Sequence, residues 1–119
     1  MELEVIAAFA LEFPEVTEEQ PFGPEVDVYK VVGKVFLLLA PERLPPTISV
    51  KCEPGLAVSL RAEYEAVIPG YHLNKKHWNT VILDGSIPDD EIEEMVSHSY
   101  DRVVAGLSKA VRQRLVATD

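Results

Sequence analysis

One cysteine in 119 residues excludes an internal disulfide, and a lone thiol suits a reducing cytoplasm. A chain of this length does not need such a staple, because it can bury roughly two thirds of the surface that its unfolded form exposes. One domain spanning residues 1–119 is therefore expected, without bridge or structural metal. Long apolar runs are missing as well: stretches such as Val35–Ala40 fall far short of the ~20 residues that cross a bilayer. No basic-then-apolar leader opens the chain, so the expectation is a soluble, cytoplasmic protein with no membrane contact. Phosphate-cradling glycine loops, nucleotide fingerprints and triad spacings are absent. No catalytic residue and no cofactor are expected.

Positive charge is scarce at both ends. Residues 1–27 hold eight acidic groups and no basic one, and residues 83–119 hold eight acidic against four basic. The net charge of −9 argues against a general affinity for polyanions. Only residues 28–82, with seven basic and four acidic groups, are cationic.

What is present reads as alternating helices and strands. Leu3, Ile6, Ala7, Phe9, Ala10 and Phe13 recur at helical spacing and predict an amphipathic helix over about 2–13, ended by Pro14. Glu15 to Pro24 reads as a solvated connection whose Pro21-Phe22-Gly23-Pro24 turn returns Phe22 to the core. Val26–Val32 and Val35–Ala40 predict an antiparallel hairpin around Gly33-Lys34, in the type II′ form that wants glycine first. Val35–Leu39, apolar on both faces, predicts a central strand with cover on each side.

Thr47–Cys52 alternates, with Ile48, Val50 and Cys52 inward and Ser49 and Lys51 outward. Pro54 opens a helix with Glu53 at its positive end and Leu56, Leu60 and Tyr64 on one stripe. Pro69-Gly70 breaks it. A strand begins at Trp78 and turns at Asp84-Gly85. A long helix follows Pro88, with Ile92, Met95, Val96, Ser99, Val103, Val104 and Leu107 on one face, then a bend near Gly106 and a short helix over Lys109–Leu115. These elements imply an α+β two-layer sandwich, an antiparallel sheet with helices packed mainly on one face.

The stretch Tyr71–Val81 is the part that folding explains least. It gathers His72, Asn74, Lys75, Lys76, His77, Trp78 and Asn79 directly before an apolar run. Together with Pro21-Phe22-Gly23, Val28–Phe36, Val50-Lys51-Cys52 and Ser99-Tyr100, this block resembles the YjbR (MmcQ-like) family over roughly residues 3–115. The resemblance implies a small fold similar to frataxin-like and secretion-chaperone-like two-layer domains. It also implies a role in DNA binding through a double-wing arrangement of strands and loops.

Each candidate residue has a plainer use. Lys75 and Lys76, supported by Lys51 and Arg61, can neutralise phosphates, the source of most non-specific nucleic-acid affinity; otherwise they are solvated loop lysines. Trp78 can stack on a base or serve the core. Asn74 and Asn79 can read base edges or hold the loop through side-chain to backbone bonds. His72 and His77 lack the further ligands that zinc needs, which leaves hydrogen bonding or charge below neutral pH. Cys52 faces inward as an inert thiol. The reading is a non-enzymatic protein making weak, salt-sensitive DNA contacts through His72, Asn74, Lys75, Lys76, His77, Trp78, Asn79, Lys51 and Arg61. The alternative is a protein-interaction module, with a protein partner or self-association.

Overall fold

The structure, a computed structural model, describes residues 1–117. The first apolar stripe folds as α1 (Leu3–Leu11), shorter than the spacing predicts, and buries Ile6 and Ala10. Phe13 continues its packing outside the helix, stacked at 4.7 Å on Tyr100. The glutamate-bearing connection after Pro14 is not a plain loop. Val16–Glu19 form β1, an edge strand paired antiparallel with β2 (Asp27–Val31). Alternation was hidden there because an edge strand need bury only one side chain, and only Val16 of β1 is withdrawn from solvent.

β2 turns directly into β3 (Lys34–Ala40). The turn residues are Val32 and Gly33, both at positive φ (48° and 77°), which makes the turn type I′ rather than the expected type II′. A register shift at Tyr29/Lys30 leaves Phe36 as an extra residue in β3, so Phe36 and Leu37 are both fully buried although adjacent. β4 (Thr47–Lys51), β5 (Val67–Pro69) and β6 (Trp78–Ile82) complete one antiparallel sheet in the order β1-β2-β3-β4-β6-β5. β5, only three residues long, lies in the stretch where the sequence showed a break.

The helices cover one face. α3 (Asp89–Ala105) lies across β3 and β4, α1 packs on α3, and α2 (Pro54–Glu63) sits against β5. α4 (Lys109–Ala117) adds Leu115 to the core, and Arg114 forms a two-pronged ion pair with Glu15 at 2.8 Å. Ser99, fully buried on α3, accepts from the Lys51 N–H at 2.8 Å and donates to the Phe36 carbonyl at 2.5 Å, tying the helix to two central strands. Glu53 caps α2 by accepting from the Gly55 and Leu56 N–H groups, which lowers its pKa.

The opposite face carries Leu38, Thr47, Ser49 and Thr80, and loops rather than helices lie over it. Phe22 borders this face but is 76% exposed, so its turn does not return it to the core. Leu56 is likewise more exposed than its stripe suggested, and Ala57 takes the buried place on α2. Among the described residues, no helix is long and apolar enough to cross a membrane.

Candidate nucleic-acid interface

The polar block Tyr71–His77 is the loop of the β5–β6 hairpin. Its base is closed by the Gly70 N–H donating to the Trp78 carbonyl at 2.9 Å. No side chain fits at Gly70, where a Cβ would lie 2.7 Å from the Trp78 Cβ. The loop is tied down onto the sheet. Thr80, buried beneath it, accepts from the Tyr71 N–H at 2.9 Å and shares a 2.8 Å hydrogen bond with the Ser49 hydroxyl.

Asn74 organises the loop tip. Its side-chain oxygen accepts from the Lys76 N–H at 3.0 Å, and its carbonyl accepts from the N–H groups of His77 and Trp78. This is the side-chain-to-backbone use foreseen as the plainer alternative. His72 sits at φ 57°, a left-handed conformation that turns its ring against Tyr71 with 4.0 Å between centroids.

Arg61 of α2 reaches the loop from the helix side. Its Nε donates to Asn79 Oδ1 at 2.7 Å, and its guanidinium also donates to the carbonyls of Lys75 and Trp78. Asn79 is 1% exposed and donates in turn to the Ala57 carbonyl at 3.3 Å. Both residues, expected at a nucleic-acid surface, thus form an internal clamp between α2 and the hairpin. Asn79 is on the helix-covered side of the sheet, with Val50 and Leu37.

The remaining candidates lie outside that clamp. His72, Asn74, Lys75 and Lys76 are exposed, while Lys51, His77 and Trp78 are half-buried. Lys51 pairs across the ladder with Trp78, and the Cys52 N–H donates to the His77 carbonyl at 2.7 Å, so the end of β4 adjoins the loop. Lys75 Nζ donates to the Gly70 carbonyl at 2.9 Å, which folds one lysine back along the loop.

One contributor escaped the sequence reading. Arg43, from the loop between β3 and β4, places its guanidinium carbon 4.1 Å from the centre of the Tyr71 ring. No spacing rule links residues 43 and 71; their loops join opposite ends of the β4–β6 pair, where Thr47 faces Ile82 and Lys51 faces Trp78, and they meet by folding over the same sheet face. Between this pair and Phe22 runs a groove of about 370 Å³, bordered by Leu38, Ser49, Thr80 and His72.

The helix side offers less chemistry. A pocket of about 240 Å³ between α2 and α3 is bordered by Val50, Cys52, Leu60, Met95 and His98. Burial, and then the Glu53 carboxylate, push the Cys52 thiol pKa up, away from the thiolate a nucleophile requires. His98 Nε2 accepts from the Glu53 N–H at 3.1 Å, a structural bond at the start of α2. Among the described residues, no cluster of three or more His, Cys, Asp or Glu is placed to hold a metal ion.

A family model, YjbR, matches residues 11–102. The chain belongs to the YjbR family. It is 38% identical over 112 residues to the uncharacterized protein YbdF of Escherichia coli O157:H7, covering 94% of this chain and 92% of that one. It is 41% identical over 87 residues to the uncharacterized protein YjbR of Escherichia coli K12, covering 73% and 74% of the two chains. The fold is similar to the crystal structure of Deinococcus radiodurans protein DR2400, with a TM-score of 0.88 at 35% identity, over 95% of this chain and 86% of that one. A crystal structure from Pseudomonas syringae aligns with a TM-score of 0.72 at 26% identity, over 83% and 96%.

The YjbR match takes in the whole hairpin, its Arg61 clamp and Arg43, and stops short of α4. The matched residues therefore include the contacts that position the loop in this chain.

Proposed function

We propose that this YjbR-family protein is a non-enzymatic nucleic-acid-binding protein that contacts phosphates through the β5–β6 hairpin. The observation that carries the reading is electrostatic. Among the described residues, carboxylates pair with Lys30, Arg114 and the N-terminal amine, while Lys51, Lys75, Lys76 and Arg43 are in no ion pair. Among the same residues, Lys34, Arg61, Arg102, Lys109 and Arg112 are likewise in no ion pair. What sets the hairpin apart is that Lys75 and Lys76 are adjacent and exposed on it, with Lys51 paired to Trp78 at its base and Arg43 against its Tyr71, in a chain of net charge −9.

Two to four phosphate contacts give weak, sequence-independent binding whose log affinity falls with log salt at about −0.9 per contact on duplex DNA. Titration of labelled duplex at low salt tests this. Lys75→Ala with Lys76→Ala should weaken binding and flatten the salt slope by roughly two contacts. Equal affinity and equal slope for this variant and the unaltered protein would remove the assigned site.

A protein partner is the second reading, favoured by two exposed apolar side chains, Leu44 at 96% beside Arg43 in the β3–β4 loop and Phe22 at 76% on the groove's border. Self-association through that apolar rim would appear as a dimer mass in light scattering. Leu44→Ser would abolish it.

A further inference from the structure

The hairpin lysines account for affinity to phosphate but leave the groove beside them unused. The geometry points to that groove as a seat for an unpaired base of single-stranded nucleic acid, an inference that rests on the nucleic-acid reading above and specifies which strand form is bound. Three observations carry it.

First, the groove is walled by planar side chains presented to solvent. Phe22 is 76% exposed on one side, and Tyr71 is 49% exposed on the other, with His72 against it. Two exposed aromatic side chains bordering one trough offer apolar surface for a ligand to cover. Bases stack on such rings regardless of sequence. Arg43 covers one face of the Tyr71 ring, so a base entering on that side meets the guanidinium plane rather than the ring itself.

Second, the groove is of ligand size and has a built floor. At about 370 Å³ it falls within the range of small-ligand sites. Its floor is the hydrogen-bonded Ser49–Thr80 pair, and Thr80 also fixes the Tyr71 backbone. The Tyr71 side of the groove is therefore anchored through its backbone before any ligand arrives, which lowers the ordering cost of binding.

Third, the charges sort a nucleotide's parts. Glu25 and Arg43 both border the groove, so the trough carries no excess of either sign to draw in phosphate. Lys75 and Lys76 stand farther along the loop that carries Tyr71 and His72. A backbone tracking the lysines with a base turned into the groove satisfies both, whereas a paired base in a duplex cannot enter without being flipped out.

The test compares a labelled oligothymidylate of about 12 nucleotides with a duplex of the same length, by fluorescence anisotropy at low salt. The unaltered protein is expected to bind the single strand at least tenfold more tightly. Tyr71→Ala and Phe22→Ala should each weaken single-strand binding by about tenfold with the salt slope unchanged, and should leave duplex binding as it was. Lys75→Ala with Lys76→Ala should weaken both strand forms and flatten both slopes. Phe22 is mostly outside the core and the Tyr71 contact to Thr80 is made by backbone, so both aromatic variants are expected to melt with the unaltered protein.

Single-strand affinity untouched by both aromatic substitutions, with the lysine variant still weakened, would overturn the groove and leave the phosphate reading standing. A duplex bound as tightly as the single strand would overturn it in the same way. Binding of neither form would overturn both.

Discussion

Replacing Arg61 with alanine separates a structural clamp from a phosphate contact, because the two roles move different observables. Its Nε donates at 2.7 Å to the side-chain oxygen of Asn79, a residue 1% exposed. Losing a charge-assisted bond to a buried acceptor costs about 2–3 kcal/mol, since the orphaned oxygen keeps its desolvation penalty. Unfolding entropy of about 2.1 cal/mol/K per residue over 119 residues makes each kcal/mol worth roughly 4 °C. The expected fall in melting temperature is therefore about 8–12 °C, followed by circular dichroism. Arg61→Lys keeps the charge but loses the planar fork that spans Asn79 and the carbonyls of Lys75 and Trp78. It should recover less than half of the lost stability. In nucleic-acid titrations below the melting range, Arg61→Ala should leave the salt slope unaltered, because no phosphate contact is removed. A variant that melts within a degree or two of the unaltered protein, yet loses one unit of salt slope, would refute the clamp.

Three other outcomes follow from the same contacts. Val32, a β-branched residue at φ 48°, should be improved by Val32→Asn, the side chain favoured before glycine in a type I′ turn; the gain of about 1 kcal/mol would show as a higher urea midpoint at unchanged m-value. Ser99→Ala leaves the Lys51 N–H and the Phe36 carbonyl without their partner, which should cost about 1–3 kcal/mol in the same assay. Backbone N–H donors at Gly55 and Leu56 lower the Glu53 pKa, and the Arg114 hydrogen bond lowers that of Glu15. Folded values below unfolded ones mean that their stabilisation is complete above the ordinary carboxylate range and is lost as pH falls through the lowered values. Glu53→Gln should therefore flatten the acid limb of the stability curve below about pH 4.5, and an unchanged limb would remove Glu53 from its cause.

The sequence carried the fold wherever burial was strong. Ile48, Val50 and Cys52 alternate inward, and the α3 stripe from Ile92 to Val103 is buried as its spacing predicts. It failed where little is buried. β1 exposes three of its four side chains, and β5 is a three-residue strand ending at Pro69 that no period can reveal. The bulge at Phe36 explains a different difficulty: two adjacent buried side chains mimic a strand covered on both faces. The site was half legible. Composition marked Tyr71–Asn79, but it could not separate Lys76, which is exposed, from Asn79, which is buried, because both are polar. The Arg43–Tyr71 contact depends on strand order, a long-range property absent from local pattern.

The Ser99 hydroxyl has a consequence for how the molecule opens. The Lys51 amide donates to a helix side chain, so its exchange with deuterium is held back by α3 as well as by the sheet. Fraying of the strand end alone would not release it. That single amide is sensitive to helix departure, and comparing its exchange with that of interior β4 amides would show whether the two layers separate before the sheet itself comes apart.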